Sequence, residues 1–399
     1  MIADVRSSGE EVHFSGGVTF AAGFEAAGVR AGLKSSGERD LALVVNRGPS
    51  QNAAAVFTSN RAKANPILWS QQVIADGTVS AIVLNSGGAN CFTGSEGFQT
   101  THLTAEAVAD ALSLSSGDVL VCSTGLIGRQ LDRAKLIPGI AAAATALSVD
   151  GGEAAARAIM TTDTKPKTAT REHGDGWRIG GMAKGAGMLA PGLATMLVVI
   201  TTDADLSSAE LDEALRSATR VSFDRLDSDG CMSTNDQVTL LASGASGIRP
   251  DPSMFAVVLQ DLCLDLAFQL QQDAEGASHD IVIEVTGAAT EDDAVEVGRS
   301  IARNNLFKAA VFGNDPNWGR VLAAIGTTRA AFDPYDVDVT MNGVRVCAQG
   351  GPDRPREEVD LAPRQLLLQL DLHAGVAGAI ILTNDLTHDY VHENSAYSS

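Results

Sequence analysis

The residues best suited to chemistry lie where a glycine-rich loop meets an apolar run. The segment 181–192 carries glycine at positions 181, 185, 187 and 192, and Ala194-Thr195 directly precedes the apolar run 196–200. A threonine hydroxyl is a weak nucleophile unless a base lies beside it, and its own α-amine can be that base after backbone cleavage. Cleavage between Ala194 and Thr195 would therefore create an activated N-terminal nucleophile. The alternative is a tight turn that leads into a buried strand.

Two earlier segments could support such a nucleophile. The apolar run 80–85 ends in Ser-Gly-Gly-Ala-Asn, and the run 119–122 ends in Ser-Thr-Gly. Strands hold such loops in place, while their small residues expose backbone NH groups. The Thr124 hydroxyl and the Gly125 NH are therefore candidate donors to an oxyanion. A plain turn is the alternative for Thr124.

The composition is that of a soluble globular protein. The 399 residues are 45% hydrophobic and 20% charged, which suits two or three domains or one large α/β unit. A formal net charge of -20 repels nucleic-acid phosphates and anionic membrane surfaces. The sequence shows neither a signal-like start nor 18 consecutive apolar residues. We therefore expect a cytoplasmic protein that binds neither nucleic acid nor membranes.

The cysteine and histidine spacings favour neither disulfides nor a metal site. Five cysteines are widely spaced without a CxxC pair. His388 and His392 alone have helical metal-ligand spacing, but their tail looks extended or irregular. The polar run 224–236 has a cysteine where a calcium loop needs an oxygen ligand. Free thiols and no metal are expected.

Strand and helix patterns alternate without a long linker, which favours α/β or α+β layers. The first two predicted strands lie within a hairpin's distance of each other. Strands are predicted at 40–46, 53–58, 80–85, 119–122, 196–200, 238–242, 281–285, 337–341 and 379–383, and helices at 101–112, 207–221, 253–271, 290–304 and within 140–160.

Seven separated segments together resemble the ornithine acetyltransferase family of arginine biosynthesis, also called bifunctional glutamate N-acetyltransferase. Seven motifs in the family's order are far more specific than one short pattern, and they run nearly from end to end. The segments are 56–61 (VFTSNR), 85–90 (NSGGAN), 122–128 (CSTGLIG), 182–197, 233–236 (STND), 313–320 (GNDPNWGR) and 384–397.

The resemblance implies an enzyme made as one chain that cuts itself between Ala194 and Thr195. An α chain (1–194) and a β chain (195–399) would then form one intertwined catalytic unit, two of which make an α2β2 heterotetramer. The fold implied is α/β of the α+β type, with layered β-sheets flanked by helices in a DmpA/ArgJ-like sandwich and a smaller second domain.

The implied reaction is acetyl transfer from N2-acetylornithine to glutamate by a ping-pong mechanism through acetyl-Thr195. Some family members also make N-acetylglutamate from acetyl-CoA, which would be a co-substrate, and no cofactor is implied. Thr124 and Gly125 would form the oxyanion hole. The substrate contacts carried over are Thr161, Lys184, Thr195, Glu275, Asn394 and Ser399.

The residue types suit this ligand, because Lys184 could pair with an α-carboxylate and Glu275 with the ornithine ammonium. Asn394 and Ser399 would require the polar tail to fold back over the site. A solvated loop charge is the alternative for Lys184, and a solvated helix end is the alternative for Glu275.

Two other functions remain open at the level of sequence. An N-terminal-threonine amidohydrolase or aminopeptidase of related fold would use water in place of glutamate as the acceptor. A non-catalytic binding protein could keep the same fold.

Overall fold

The computed structural model of the chain describes residues 16–190 and 196–396. Ala194, Thr195 and Ser399 lie outside the described residues. The helices are α1 (Asn65–Val73), α2 (Gly94–Leu112), α3 (Arg133–Thr145), α4 (Gly152–Ala158), α5 (Ser208–Val221), α6 (Pro252–Gln272), α7 (Glu291–Ala302), α8 (Asn305–Phe312), α9 (Trp318–Ile325) and α10 (His388–Ala396).

Fifteen strands are found in the described residues. They are β1 (Phe24–Val29), β2 (Leu41–Asn46), β3 (Asn52–Phe57), β4 (Ala81–Asn85), β5 (Val119–Ser123), β6 (Lys167–Glu172), β7 (Arg178–Lys184), β8 (Leu197–Thr202), β9 (Gln237–Ala242), β10 (Asp280–Ala288), β11 (Asp338–Met341), β12 (Val344–Ala348), β13 (Gly351–Pro352), β14 (Gln365–Asp371) and β15 (Ala377–Asn384).

The strands form three sheets. The first sheet has the order β1-β2-β4-β5, the second β3-β9-β8-β7-β6, and the third β13-β12-β11-β14-β10-β15. In the second sheet β7 and β8 are antiparallel, and Lys184 lies opposite Leu197. On its other edge β8 runs parallel to β9, which pairs antiparallel with β3. The second sheet thus combines strands from both sides of the predicted cut.

The second sheet is covered on both faces, as the alternation of side chains along β8 shows. Leu197 and Val199 belong to a core cluster with the first sheet and α1–α4. Val198 and Ile200 point the other way, into a cluster with α5 and α6. Two packed sheets with helices on their outer faces therefore form the layered body of the protein.

The third sheet has a hydrophobic core of its own, shared with α7, α8 and α9. Val282 and Leu382 of the third sheet pack against the rest of the chain, in the core cluster that contains α5 and α6. The predicted fold class, an α/β arrangement of layered sheets flanked by helices, is confirmed.

Local capping signals set the starts of the two helices that cover the second sheet. Ser207 and Glu210 form a reciprocal capping box at the start of α5. Asp251 accepts hydrogen bonds from the NH groups of Ser253 and Met254, and Pro252 occupies the first position of α6. These signals explain why the predicted bounds of both helices agree closely with the structure.

Helix α6 is long and apolar enough to cross a membrane by length and composition alone, and core helices of soluble proteins pass the same test. One face of α6 is packed inside the protein, where Phe255, Leu259, Leu262, Leu266 and Leu270 are buried.

Two local predictions were wrong. The strands β2 and β3 were placed within a hairpin's distance, but β2 belongs to the first sheet and β3 to the second. The tail, expected to be extended or irregular, contains helix α10. Strand β1 was not predicted at all, because it is rich in Gly and Ala and Val29 is its only β-branched residue.

We predict that Gly28→Ala lowers the free energy of unfolding by about 1–3 kcal/mol or more. A Cβ on Gly28 would lie 1.8 Å from the carbonyl oxygen of Ala154, so α4 would have to move away from β1. Chemical denaturation measures the change. Gly174→Ala is the matched control, because a Cβ there meets nothing within 4 Å. Equal stability of the two variants would contradict the prediction.

Candidate active site

Three predicted site residues from separate segments meet at the end of β7. Lys184, the last residue of β7, is 2% exposed. Its Nζ donates hydrogen bonds to Thr161 Oγ1 at 2.7 Å and to Thr124 Oγ1 at 3.3 Å. Thr124 follows β5, and Thr161 lies in the loop between α4 and β6. Lys184 is therefore a buried cation held by two hydroxyls rather than a solvated loop charge.

The loop after β5 is held in a fixed shape. Thr124 is 3% exposed, its NH donates to Asn85 O at 2.9 Å, and its carbonyl accepts from Gly88 N at 3.0 Å. Gly125 has φ +123°, where an L side chain is strained, and a Cβ there would lie 2.9 Å from Gly88 N. Only glycine suits this close approach, which leaves the peptide at Gly125 unobstructed by a side chain.

Lys184 and Thr124 are arranged so that the hydroxyl proton of Thr124 remains available for another hydrogen bond. The ammonium has only donors, so Thr124 Oγ1 must accept in the contact with Lys184. The Thr124 proton is then free to point at a third group. A hydroxyl donor next to an unobstructed backbone NH is an arrangement that can stabilise a developing oxyanion.

The electrostatic setting of Lys184 is unusual for a lysine. Burial lowers the pKa of Lys184, and the charge of Lys167 lowers it further, while Asp163 and Glu275 oppose both effects. A titratable side chain with a perturbed pKa in a polar cluster is a mark of functional sites.

Asp236 is a buried carboxyl that contacts Met196, and sequence reasoning did not single it out as a site residue. It is fully buried, and its Oδ1 accepts a hydrogen bond from the NH of Met196 at 3.1 Å. Burial raises the pKa of Asp236 well above its ordinary value, against the hydrogen bond from Met196 and the charge of Lys184. The sequence signals were its place in the segment 233–236 (STND) and directly before a buried strand.

Glu275 lies on the other side of the loop that follows β7. Its NH donates to Ala186 O at 3.0 Å, and its carboxylate lies against Gly187. Glu275 also lines a cleft of about 890 Å³ that opens between the end of α6 and the tail helix α10. Glu275 is therefore half-buried at this cleft rather than fully exposed at a helix end. Side chains of α10 that line the cleft are His388, Asp389, His392 and Glu393.

The tail does fold back toward the site, but Asn394 does not reach Lys184, Thr124 and Thr161, which we call the Lys184 cluster. Its Nδ2 donates to the carbonyl oxygen of Tyr390 within α10, at 3.0 Å, and the residue is exposed. Tyr390 in turn shares a hydrogen bond with Asp229, and Asp229 Oδ2 accepts from Leu189 N at 2.6 Å. A chain of contacts thus links the tail to the residues just before the predicted cut.

Two other kinds of reactive group are relevant in the described residues: free thiols, and clusters of side chains that could bind a metal ion. Of the five free cysteines, Cys231 alone is exposed. Within residues 16–190 and 196–396, no three His, Cys, Asp or Glu side chains are grouped to hold a metal ion.

Comparison with known proteins identifies relatives along almost the whole chain. The model of the ArgJ family matches residues 25–399. The arginine biosynthesis bifunctional protein ArgJ of Streptomyces coelicolor is 64% identical over 382 residues, which cover 96% of this chain and 100% of that protein. The protein of the same name from Thermobifida fusca is 58% identical, with the same coverage of both chains.

A related structure has also been solved. The ornithine acetyltransferase of Mycobacterium tuberculosis, crystallised with ornithine, is 54% identical and covers 45% of this chain and 96% of that chain, with a TM-score of 0.44. The resemblance drawn from the seven sequence segments is confirmed by the family match and the curated relatives. The chain belongs to the ArgJ family.

Proposed function

We propose that this chain transfers the acetyl group of N2-acetylornithine to glutamate through an ester on Thr195. Family membership and the names of its relatives, ornithine acetyltransferase and bifunctional protein of arginine biosynthesis, support this reaction. The observation that carries the proposal is the buried Lys184 ammonium between the hydroxyls of Thr124 and Thr161, at the end of the strand that leads to the Ala194-Thr195 junction.

The register of β7 and β8 supports a role for Thr195 in this cluster. Lys184 and Leu197 are cross-strand partners. Thr195 comes two residues before Leu197 in the sequence, and two residues of chain span at most about 7 Å. This short separation supports the proposal that Thr195 acts together with Lys184.

In the first half-reaction, Thr195 Oγ attacks the acetyl carbonyl carbon while the Thr195 α-amine takes the hydroxyl proton. The carbonyl oxygen becomes an oxyanion, which accepts hydrogen bonds from the Thr124 hydroxyl and the Gly125 NH. The carbon–nitrogen bond then breaks, the α-ammonium returns a proton to the leaving nitrogen, and ornithine departs from acetyl-Thr195.

In the second half-reaction, the α-amine of glutamate attacks the ester carbon. The carbon–oxygen bond of the ester then breaks, and the proton lost by the amine passes to Thr195 Oγ. In both halves Lys184 pairs with the substrate α-carboxylate, and in the first half Glu275 pairs with the side-chain ammonium of ornithine. Asn394 and Ser399 would approach the substrate once the tail closes over the cleft. We place this reaction in the cytoplasm, in an α2β2 assembly of cleaved chains.

Acetyl-CoA is the second acetyl donor that we propose to test. The curated relatives are named bifunctional, which is the reason to expect a second activity. Incubation with acetyl-CoA and glutamate, without N2-acetylornithine, separates a bifunctional enzyme from a monofunctional one. Formation of N-acetylglutamate would establish the second activity.

We predict that the purified protein consists of two fragments, the second of which begins at Thr195. Intact-mass measurement checks this directly. Thr195→Ala is expected to remain one chain and to transfer no acetyl group, because it has neither the nucleophile nor the hydroxyl that starts the cleavage. Thr145→Ala, at the exposed end of α3, is the matched control and should be cleaved and active.

The same preparation distinguishes transferase from hydrolase. With N2-acetylornithine alone, a hydrolase would release free acetate at every turnover, whereas a transferase should stop at one acetyl group per site until glutamate is added. Steady acetate release without glutamate would favour the amidohydrolase alternative. An active Thr195→Ala enzyme would refute the mechanism itself.

We predict that Thr124→Val lowers kcat by about 10²- to 10³-fold, the usual cost of losing one oxyanion donor. Valine keeps the branched shape but has no proton to donate. Thr124→Ser restores the hydroxyl and should recover most of the rate. Steady-state kinetics of all three proteins test the role, and equal kcat values for the valine and serine variants would exclude it.

We predict that Lys184→Gln raises KM for N2-acetylornithine by about 10- to 100-fold, because one charge-assisted hydrogen bond contributes about 1.5–3 kcal/mol. A lysine is charged below its pKa, and the pKa of Lys184 is lowered by burial. In the parent enzyme, KM should therefore rise with pH before an ordinary lysine would titrate. That rise should be missing in Lys184→Gln, while Lys135→Gln, an exposed control, should behave as the parent.

A further inference from the structure

A buried triad of charges lies directly beneath the Lys184 cluster. Lys167 Nζ contacts Asp163 Oδ1 and Asp273 Oδ2, both at 2.6 Å. The side chains of Lys167 and Asp163 are completely inaccessible, and that of Asp273 is 4% exposed. The three residues come from the loop before β6, the start of β6 and the end of α6. Asp163 and Lys167 are only four residues apart, so the triad ties the 163–167 stretch to the distant end of α6.

Asp163 connects the triad to two predicted substrate contacts. Its Oδ2 accepts from the NH of Thr161 at 3.0 Å, and its Oδ1 accepts from the NH of Gly185 at 2.7 Å. Gly185 is the residue after Lys184. One carboxylate therefore fixes the backbone on which Thr161 stands and the backbone that carries Lys184.

Asp273 connects the other side of the triad to Glu275. It accepts hydrogen bonds from the NH of Thr164, at 3.0 Å, and from the Thr164 hydroxyl. Two residues later, the NH of Glu275 donates to Ala186 O at 3.0 Å. The Glu275 backbone is thus attached to the same loop that Asp163 holds at Gly185.

Asp163 also sets the charge of the site. Its burial raises its pKa, but the charges of Lys184 and Lys167 and hydrogen bonds from Lys167 and Gly185 overcome that effect and lower the pKa to about 2. Asp163 is therefore an anion at every working pH, and it favours the charged form of Lys184. The charged groups facing Lys184 are Lys34, Asp163, Lys167, Asp236 and Glu275.

A buried ion cluster is a poor way to gain stability, because desolvation of each charge offsets most of the attraction between them. In this protein, the ion cluster instead fixes the positions of the residues around it. We propose that Asp163 is a positioning residue for acetyl transfer: through the triad with Lys167 and Asp273 it aligns Thr161, Lys184 and Glu275 around the amino-acid part of the substrate. This inference rests on the proposed function.

The test is Asp163→Asn, which keeps the size of the side chain and removes its charge. We expect KM for N2-acetylornithine to rise about tenfold or more, since Lys184 and Thr161 lose their common anchor, while kcat falls by a smaller factor. The pH at which KM begins to rise should shift downward, because the nearest anion that favours charged Lys184 is gone. Calorimetric binding of ornithine should weaken in parallel.

Asp261→Asn is the matched control. Asp261 lies on α6, the helix that ends just before Asp273, and it forms an exposed ion pair with Arg171. It should leave KM, kcat and the pH profile unchanged. If Asp163→Asn fails to fold, as judged by circular dichroism, Asp163→Asn/Lys167→Gln replaces it, since the double variant keeps the net charge of the triad. The double variant is expected to show the same rise in KM but a smaller pH shift, because loss of the Lys167 charge raises the pKa of Lys184 and opposes the effect of losing Asp163.

A folded Asp163→Asn variant with the KM and pH profile of the parent, or a folded double variant with the KM of the parent, would overturn the inference, as would a loss of kcat with unchanged KM. These outcomes are separate from failure of the proposed function. If the parent protein transfers no acetyl group from N2-acetylornithine, the reaction itself is wrong. If the parent transfers it and the variants match the parent, only the role of Asp163 is wrong.

Discussion

The antiparallel pairing of β7 with β8 is the constraint on which the rest of the site depends, because it sets Lys184 opposite Leu197. Side chains alternate between the two faces of a strand, so a slip of one residue would turn Lys184 to the wrong face of the second sheet. The register is secured from the other edge as well, since β8 pairs with β9 and β9 pairs with β3. Ordinary sheet hydrogen bonding thus fixes where the cation stands.

Around this strand pair, burial and neighbouring charges shift the pKa values of buried groups in opposite directions. Lys184 is useful as a cation, yet its burial favours the neutral form. Asp163 counters this effect from one side, while Asp236, beside Met196, is shifted in the opposite direction by its own burial. One carboxyl is thereby kept ionised and another is pushed toward its protonated form within the same cluster. Such divergence between neighbouring acids is typical of sites that do chemistry.

Local signals in the sequence predicted what is decided locally. The predicted bounds of the helices at 207–221 and 253–271 agree closely with α5 and α6, which Ser207 and Asp251 cap, and the loop after β5 was singled out by its small polar residues. Pairing over long distances was beyond reach: β3 lies next to β2 in the chain, but its partner β9 is far away in sequence. Helix α10 was missed because it depends on tertiary contacts, such as the hydrogen bond from Thr387 Oγ1 to Gly276 O, rather than on an apolar stripe. Asp163 carried no signal, since its role arises only when three segments meet.

The mixed origin of the second sheet also dictates an order of events. Strands β3, β6 and β7 precede the proposed cut, and β8 and β9 follow it, yet all five share one sheet. Assembly of that sheet from two free chains would be a concentration-dependent encounter, whereas in one polypeptide it is a unimolecular step. Folding would therefore come before the proposed cleavage. The proposed self-cleavage would then act as a form of quality control, because a misfolded chain would not generate the terminal amine on which the proposed reaction depends.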